Sequence, residues 1–235
     1  MVQFSVGTTG STMGNLYVVV PAKGNSERLE KKNLLEISQG VSLVSLAIAK
    51  AKTVASKLGG RVIIDTDSEE IASIDRYLAQ MRTGEFLSSN DASSIDLMVN
   101  NIKRNNMSDE DTLVHIYCTS PFLTLDTIFD CVCHVGGVYN SALTVTERRD
   151  LSWTANRAAK YNSQEPPNTQ DIEPVYAETF GLNVVNVGAF GDDPRRGTHP
   201  AYLKVVRFPE YFDIDTLEDY QDAKRISELY SRNFS

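Results

Sequence analysis

The chain is short of several things, and each shortage closes off a class of function. It has three cysteines, Cys118, Cys131 and Cys133. The Cys131-x-Cys133 spacing is neither a zinc nor a redox spacing, and no second pair exists to complete one. The cysteines are therefore expected to be small core residues in a reducing compartment. No apolar run approaches the length of a membrane span, and the N-terminus lacks the basic and apolar regions of a secretory leader, so a cytoplasmic protein without membrane association is expected. Positive charge is in deficit: 23 Lys and Arg stand against 31 Asp and Glu, for a formal net charge of -8. A nucleic-acid partner is not expected, because the net field repels polyanions. There is no G-x-G-x-x-G after an apolar strand, which argues against a nicotinamide enzyme, and no G-K-[ST] ending of a P-loop. No Ser/His/Asp or Cys/His order stands out among the three histidines, and no fixed-period repeat is present.

What remains is ordinary globular material, 41% hydrophobic and 23% charged over 235 residues, enough for one sizeable core. Residues 1–15, rich in Gly, Ser and Thr, read as a loose tail ahead of one domain over 16–235. Leu16 to Val20 is a β-branched run stopped by Pro21, which predicts a buried strand. Val41 to Leu58 has helical spacing and ends at Gly59-Gly60. Arg61 to Ile64 predicts the next strand, and Asp67-Ser68-Glu69-Glu70 can cap a helix running to about Met81. Helices at 91–104 and 125–135 alternate with strands at 113–117 and 141–145. This order predicts a doubly wound, mainly parallel α/β sheet. Between about 147 and 176 the periodicity breaks at a Pro-rich insertion. Strand signals return at 182–187 and 203–208, and a last helix covers 215–229 with Asp215 or Thr216 near its cap.

Ligands on such sheets bind beyond the carboxyl ends of the strands. Two segments there carry phosphate chemistry. In Pro21-Ala22-Lys23-Gly24-Asn25-Ser26, continuing to Lys32-Asn33, the small residues let backbone N–H groups approach an anion. Lys23, Arg28 and Lys32 bring cations to it. Taken alone, this loop is as readily a solvated surface turn. In Asp213-Ile214-Asp215, alternation on extended backbone would put two carboxylates on one face, a pair suited to Mg²⁺. Taken alone, Asp215 is more readily a helix cap. His115 is expected to be a satisfied core residue and His134 a structural one, while Arg195, Arg196 and His199 form a basic cluster able to meet an anion.

The motifs together resemble one family. Val18 to Ser26 with Lys32-Asn33, Val62 to Ile71, Arg82 followed by Asp91 to Ser94, Thr119-Ser120-Pro121, and Asp213-Ile214-Asp215-Thr216 follow the ordered signatures of CMP-sialic acid synthetases, the acylneuraminate cytidylyltransferases. The resemblance runs from Leu16 to about Ile226. It implies a Rossmann-like nucleotidyltransferase fold. It also implies transfer of CMP from CTP to the anomeric hydroxyl of a nonulosonic or related 2-keto sugar acid. It assigns CTP to Ala22, Gly24, Asn25, Ser26, Asn33, Arg82 and Ser94, phosphate stabilisation to Lys23, Arg28 and Lys32, and Mg²⁺ or Mn²⁺ to Asp213 and Asp215. It implies a homodimer built through the 147–176 insertion. The sugar carboxylate falls to Arg195, Arg196 and His199. Four departures accompany the resemblance: Lys23 stands where Arg is usual, Glu27 where Lys is common, Tyr117 where Gln precedes the T-S-P turn, and Glu178 to Gly181 differ from the usual motif. A sugar-phosphate acceptor, or a nucleotide-binding homologue without catalysis, remains open at this level.

Overall fold

A computed structural model describes residues 14–192 and 194–233. Residues 1–13 of the expected tail lie outside the described residues. Asn15 already belongs to the body, its backbone N–H donating to Asp111 Oδ1 at 2.6 Å.

Strand β1 (Leu16–Ala22) is buried along its whole length. It lies between β4 (Arg61–Thr66) and β6 (Thr112–Ile116), parallel to both. Strand β5 (Ala79–Met81) extends the sheet beyond β4, and β8 (Val175–Asn186), β7 (Ser141–Arg148) and β9 (Ala201–Val205) extend it beyond β6. The order is β5-β4-β1-β6-β8-β7-β9, and only β8 runs against its neighbours. The mainly parallel, doubly wound α/β sheet expected from sequence is thus present. A short hairpin of β2 (Glu36–Ser38) and β3 (Val41–Ser42) stands apart.

Alternation along the pleat explains the two cores. Val18 and Val20 of β1 join Ile64, Val114 and Val184 against helices α1 (Leu43–Leu58), α5 (Leu125–His134) and α7 (Leu217–Asn233). Tyr17 and Val19 face the other way, with Ile63, Leu113 and Val185, onto Met98 of α4 (Ser94–Arg104) and Phe190 of α6 (Val187–Asp192). Helix α1 starts at Ser42, whose side chain accepts from Ser45 N–H, and stops at Gly59 in the left-handed conformation, φ 74°. Helix α4 opens with a capping box between Ser93 and Asp96.

Three expectations need correction. The helix expected up to Met81 is only α2 (Glu69–Ala72). The Asp75 carboxylate takes the Tyr77 N–H and turns the chain, so residues 79–81 pair with β4 instead. Strand β8 begins at Val175 rather than 182, because its largely exposed first half is held as a ribbon against β7. Two of the three cysteines are core, but Cys133 is exposed. Burial pushes the Cys118 and Cys131 thiols up to about 12, which removes thiolate chemistry at neutral pH. Among the described residues no helix is long and apolar enough to cross a membrane. The segment between β7 and β8 is largely exposed and holds a single 3₁₀ turn, Thr169–Asp171.

Candidate nucleotide site

The site forms where β1, β4 and β6 end. Beyond Ala22, itself fully buried and able to offer only backbone, the chain makes the glycine-containing loop. Gly24 N–H donates to Asp67 Oδ1 at 2.6 Å, which ties the loop to the exit of β4. A Cβ on Gly24 would sit 2.6 Å from Ser68 Cβ, so only glycine allows this approach. Asn33 Nδ2 closes the loop on Lys23 O at 2.8 Å, and Asn25 Oδ1 takes Ser26 N–H at 3.0 Å.

Lys23, Ser26, Lys32, Asn33, Arg82 and Tyr117 all line one cavity of about 220 Å³. A larger hollow, about 540 Å³ around Arg61 and Tyr77, lies at the opposite end of the sheet, where β4 begins. The smaller cavity is the chemical one, since it collects the loop residues at the strand ends.

Asn90, which gave no signal in the sequence, sits across the mouth of this cavity. Its side-chain oxygen accepts from Lys23 Nζ, and its amide donates to Glu27. The Glu27 carboxylate is therefore held off the loop's floor by an amide, not by Arg28. Arg28 reaches the other way, to Asp215. Arg82 lines the cavity, but its guanidinium is already committed. Nε donates to Asp65 Oδ2 and Nη2 to Asp65 O, both at 3.2 Å, and Nη1 donates to Leu87 O at 3.3 Å. It clamps the end of β4 to the 82–92 segment, which forms one wall. Burial outweighs the guanidinium and the Asn101 amide, and holds the Asp65 carboxyl above the usual carboxylate range.

The second segment closes the other side. Lys32, nearly buried, donates to Ile214 O at 2.8 Å and meets Asp215 Oδ1 at 3.1 Å. Arg28 Nη2 meets the same oxygen at 2.8 Å. Asp215 is not the helix cap: Thr216 is. The Thr216 hydroxyl takes Asp219 N–H, and Asp219 Oδ2 takes the N–H groups of Asp215 and Thr216. Capping falls to Thr216 and Asp219, which leaves the Asp215 carboxylate to the cations. Ile214 is fully buried between the two aspartates, and its N–H donates to Thr119 O at 2.9 Å. Burial raises the Asp213 carboxyl, the nearby Asp215 charge adds to this, and a bond from the Thr119 side chain opposes it. Asp213 Oδ1 is buried and has no hydrogen-bond partner. An orphaned carboxylate oxygen beside a second carboxylate fits an oxygen-preferring divalent cation. Among the described residues no cluster of three or more His, Cys, Asp or Glu surrounds such an ion. The remaining ligands would have to come from substrate and water.

Arg196 belongs to an adjoining box. A register shift in the β7–β8 pairing leaves Phe180 and Gly181 beside the end of β6, where Gly181 O accepts from Tyr117 N–H at 3.2 Å. Arg196 Nε donates to Glu178 Oε2 at 2.7 Å, and Nη1 lies 3.4 Å from both the Tyr117 hydroxyl and Ser94 Oγ. Its guanidinium stands 4.7 Å from the centre of the Phe180 ring. Nη2 is buried and unpartnered. Ser94 thus faces Arg196 rather than lining the nucleotide cavity. Arg195 is exposed, and His199 is placed elsewhere. The His199 carbonyl accepts from Asn140 Nδ2, at the opposite end of β7 from the site. The basic cluster is split because Thr198 O is tied to Ser141 Oγ at the start of that strand. His115 is core as expected but not satisfied. Both ring nitrogens lack partners, and burial lowers its pKa to about 3, with Arg82 and Arg196 adding to the effect.

Comparison with known proteins bears on the family and the fold. The sequence model of a family described as cytidylyltransferase matches residues 17–137. No curated protein matches the chain. Among solved structures, a CMP:2-keto-3-deoxy-manno-octonic acid synthetase complexed with CTP superposes with a TM-score of 0.61 at 14% identity, over 92% of this chain and 99% of that one. The 4-diphosphocytidyl-2C-methyl-D-erythritol synthase from Anaerococcus prevotii DSM 20548 gives 0.61 at 11% identity, covering 92% and 96%. Another 4-diphosphocytidyl-2C-methyl-D-erythritol synthase gives 0.63 at 8% identity, covering 92% and 99%. At such identities the structural likeness concerns the fold.

Proposed function

Because the chain belongs to the cytidylyltransferase family, an enzyme family that uses CTP, we propose that it transfers CMP from CTP to the anomeric hydroxyl of a sialic-acid-like sugar acid, nonulosonic or a related 2-keto acid. The observation that carries the acceptor class is Arg196 Nη2, a buried guanidinium N–H without a partner, in a box that opens beside the nucleotide cavity. A carboxylate supplies the acceptor that this donor lacks. The two synthases of the methylerythritol series named above act on a different acceptor, and the octonic acid synthetase acts on a keto sugar acid. The second kind fits the Arg196 box.

In this reading CTP lies between the glycine-containing loop and the wall that Arg82 clamps. Lys23 and Lys32 neutralise the phosphate charge, and Arg28 joins them once the triphosphate competes for its guanidinium. Arg196 fixes the sugar carboxylate, which holds the anomeric oxygen on the same carbon towards the α-phosphorus. That oxygen gives up its proton to water and bonds to phosphorus, the bond to the bridging oxygen of the β-phosphate breaks, and pyrophosphate leaves with the charge it gains. Lys23 and Lys32 face that charge, which makes the step one of positioning and electrostatic stabilisation. Asp213 and Asp215 would hold Mg²⁺ or Mn²⁺, which when bound adds charge at the phosphates and lowers the pKa of the attacking hydroxyl. A homodimer built through the 147–176 segment, and a cytoplasmic location, belong to the same proposal.

The test is pyrophosphate release from CTP and Mg²⁺ with a panel of 2-keto sugar acids, omitting each component in turn. Release that depends on a sugar acid is expected. CTP binding without release for any sugar acid, but with release for a sugar phosphate, would transfer the chain to the other acceptor class. Asp215→Ala should abolish turnover while CTP binding is largely kept.

A further inference from the structure

We infer that Lys50 is a positioning residue for this transfer: from helix α1 it fixes the Thr119-Ser120-Pro121 turn, and through that turn the placement of Asp213 and Asp215. The inference rests on the reading above for what those aspartates do.

Lys50 lies outside the nucleotide cavity. Its Nζ donates to Pro121 O at 2.6 Å, linking α1 to the turn that follows β6. The turn is the bracket on which the second acidic segment hangs. Thr119 O takes Ile214 N–H at 2.9 Å, which fixes the backbone between the two aspartates. At the far end of the turn, Glu210 Oε1 accepts from Thr124 N–H at 2.9 Å and from Thr124 Oγ1 at 2.6 Å. Residues 210–214 are thereby held to residues 119–124 by three hydrogen bonds, and Lys50 holds that bracket to α1. Ile214, between Asp213 and Asp215, hangs on Thr119 O two residues before Pro121, so a shift of the turn carries both aspartates with it.

An apolar side chain would fill the groove among Leu46, Phe122 and Leu123 without losing hydration. A lysine there must instead be held by what it touches. Three groups face it. Glu210 comes from the acidic segment, Cys118 from the end of β6, and Asp126 of α5 lines the same groove. Burial lowers Lys50 to about 8 against the opposing pull of Glu210, while burial keeps the Cys118 thiol protonated. Below that pH Lys50 is charged and its bond to the carbonyl is charge-assisted. As pH rises through it, the bond weakens to that of a neutral amine.

The experiment compares Lys50→Met and Lys50→Arg with wild type. Lys50→Met should lower kcat by about tenfold to a hundredfold, the scale of a 1 Å misplacement, with KM for CTP little changed. Lys50→Arg should restore most of the loss and move the alkaline fall in kcat to higher pH. Mn²⁺ binding to the CTP complex, read by water-proton relaxation, provides a second measure that needs no acceptor. It should weaken in Lys50→Met, while metal-free CTP binding holds. Wild-type kcat and Mn²⁺ affinity in Lys50→Met, or equal loss in the Met and Arg variants, would overturn the inference. If wild type itself releases no pyrophosphate with any acceptor, the functional reading fails instead, and the Mn²⁺ comparison still decides the role of Lys50. Should Lys50→Met not fold, Glu210→Ala removes the acceptor at the other end of the bracket. It must then weaken Mn²⁺ binding, and unchanged binding refutes the inference.

Discussion

Replacing Arg82 with Met separates its two possible duties, holding nucleotide and holding the protein together. The arginine side chain is 3% exposed and its partner Asp65 is fully buried. Methionine keeps length and apolar contact but leaves a buried carboxylate whose remaining polar contact is Asn101 Nδ2 at 3.3 Å. Removing one partner of a buried pair costs about 3–5 kcal/mol. That is a large share of the roughly 5–15 kcal/mol that stabilises a folded domain. For a chain of this size it lowers Tm by about 6–20 °C. Differential scanning fluorimetry without nucleotide measures it. The double variant Arg82→Met/Asp65→Leu should recover part of the loss, because an apolar pair no longer strands a charge. The pH dependence has a fixed sign. Asp65 is raised above its unfolded value, so its contribution favours the fold at acid pH and is lost as pH rises through the folded pKa. Without Arg82 that pKa rises further, and lowering the pH from neutral should rescue the variant more than wild type. A Tm within about 2 °C of wild type, well below the expected shift, together with lost CTP affinity, would show that the guanidinium is free for the nucleotide and that the clamp is wrong.

The remaining predictions concern the loop, the cap and the acceptor box. Gly24→Ala should weaken CTP binding measured by calorimetry by about 1–3 kcal/mol, as the new Cβ forces the loop away from Ser68. Wild-type affinity would mean that the loop does not bind where it is drawn. Thr216→Ala should cost about 0.5–2 kcal/mol in urea unfolding yet keep turnover, since the Asp215 carboxylate is not the cap. Turnover as low as in Asp215→Ala would merge the two roles. Arg196→Lys should raise KM for the sugar acid and leave KM for CTP unchanged, because an ammonium cannot span Glu178, Tyr117 and a carboxylate at once. Equal effects on both substrates would place Arg196 in the nucleotide site.

Sequence carried the parallel core well because that core depends on local patterns. The β-branched run at Val18 to Val20, the Gly59 stop and the Ser93-x-x-Asp96 cap each report on their own few residues. It failed where pairing overrules pattern. Val175 to Glu178 are mostly exposed and interrupted by charge, so no buried apolar run announces that half of β8, which its ladder to β7 holds. At the site, the Gly24 loop and Asp213-x-Asp215 were legible as residue types. Their neighbours were not. Asn90 lies 67 positions from Lys23, and Asp67 lies 43 from Gly24. His199 shows the converse error, for closeness to Arg196 in sequence put it in a cluster that the start of β9 pulls apart. Arg82 was legible as a site residue, but its commitment to Asp65 depends on burial, which spacing does not show.

The reversed direction of β8 has a consequence for how the molecule can vary. Every other strand near the site delivers its loop after its last residue, so a longer loop must still lead into the next helix. Strand β8 reaches the site with its first residues, Glu178 and Phe180 among them, and then descends into the core. The chain ahead of it can grow, shrink or change composition without altering the ladder from Leu182 to Asn186 that locks it to β6. The acceptor side of the site is thus open to rapid divergence, while the nucleotide side, threaded between β1 and β4, is bound to the scaffold. New acceptors are to be sought in a library over the residues that face Arg196, Glu178 and Phe180 among them, with the ladder from Leu182 kept.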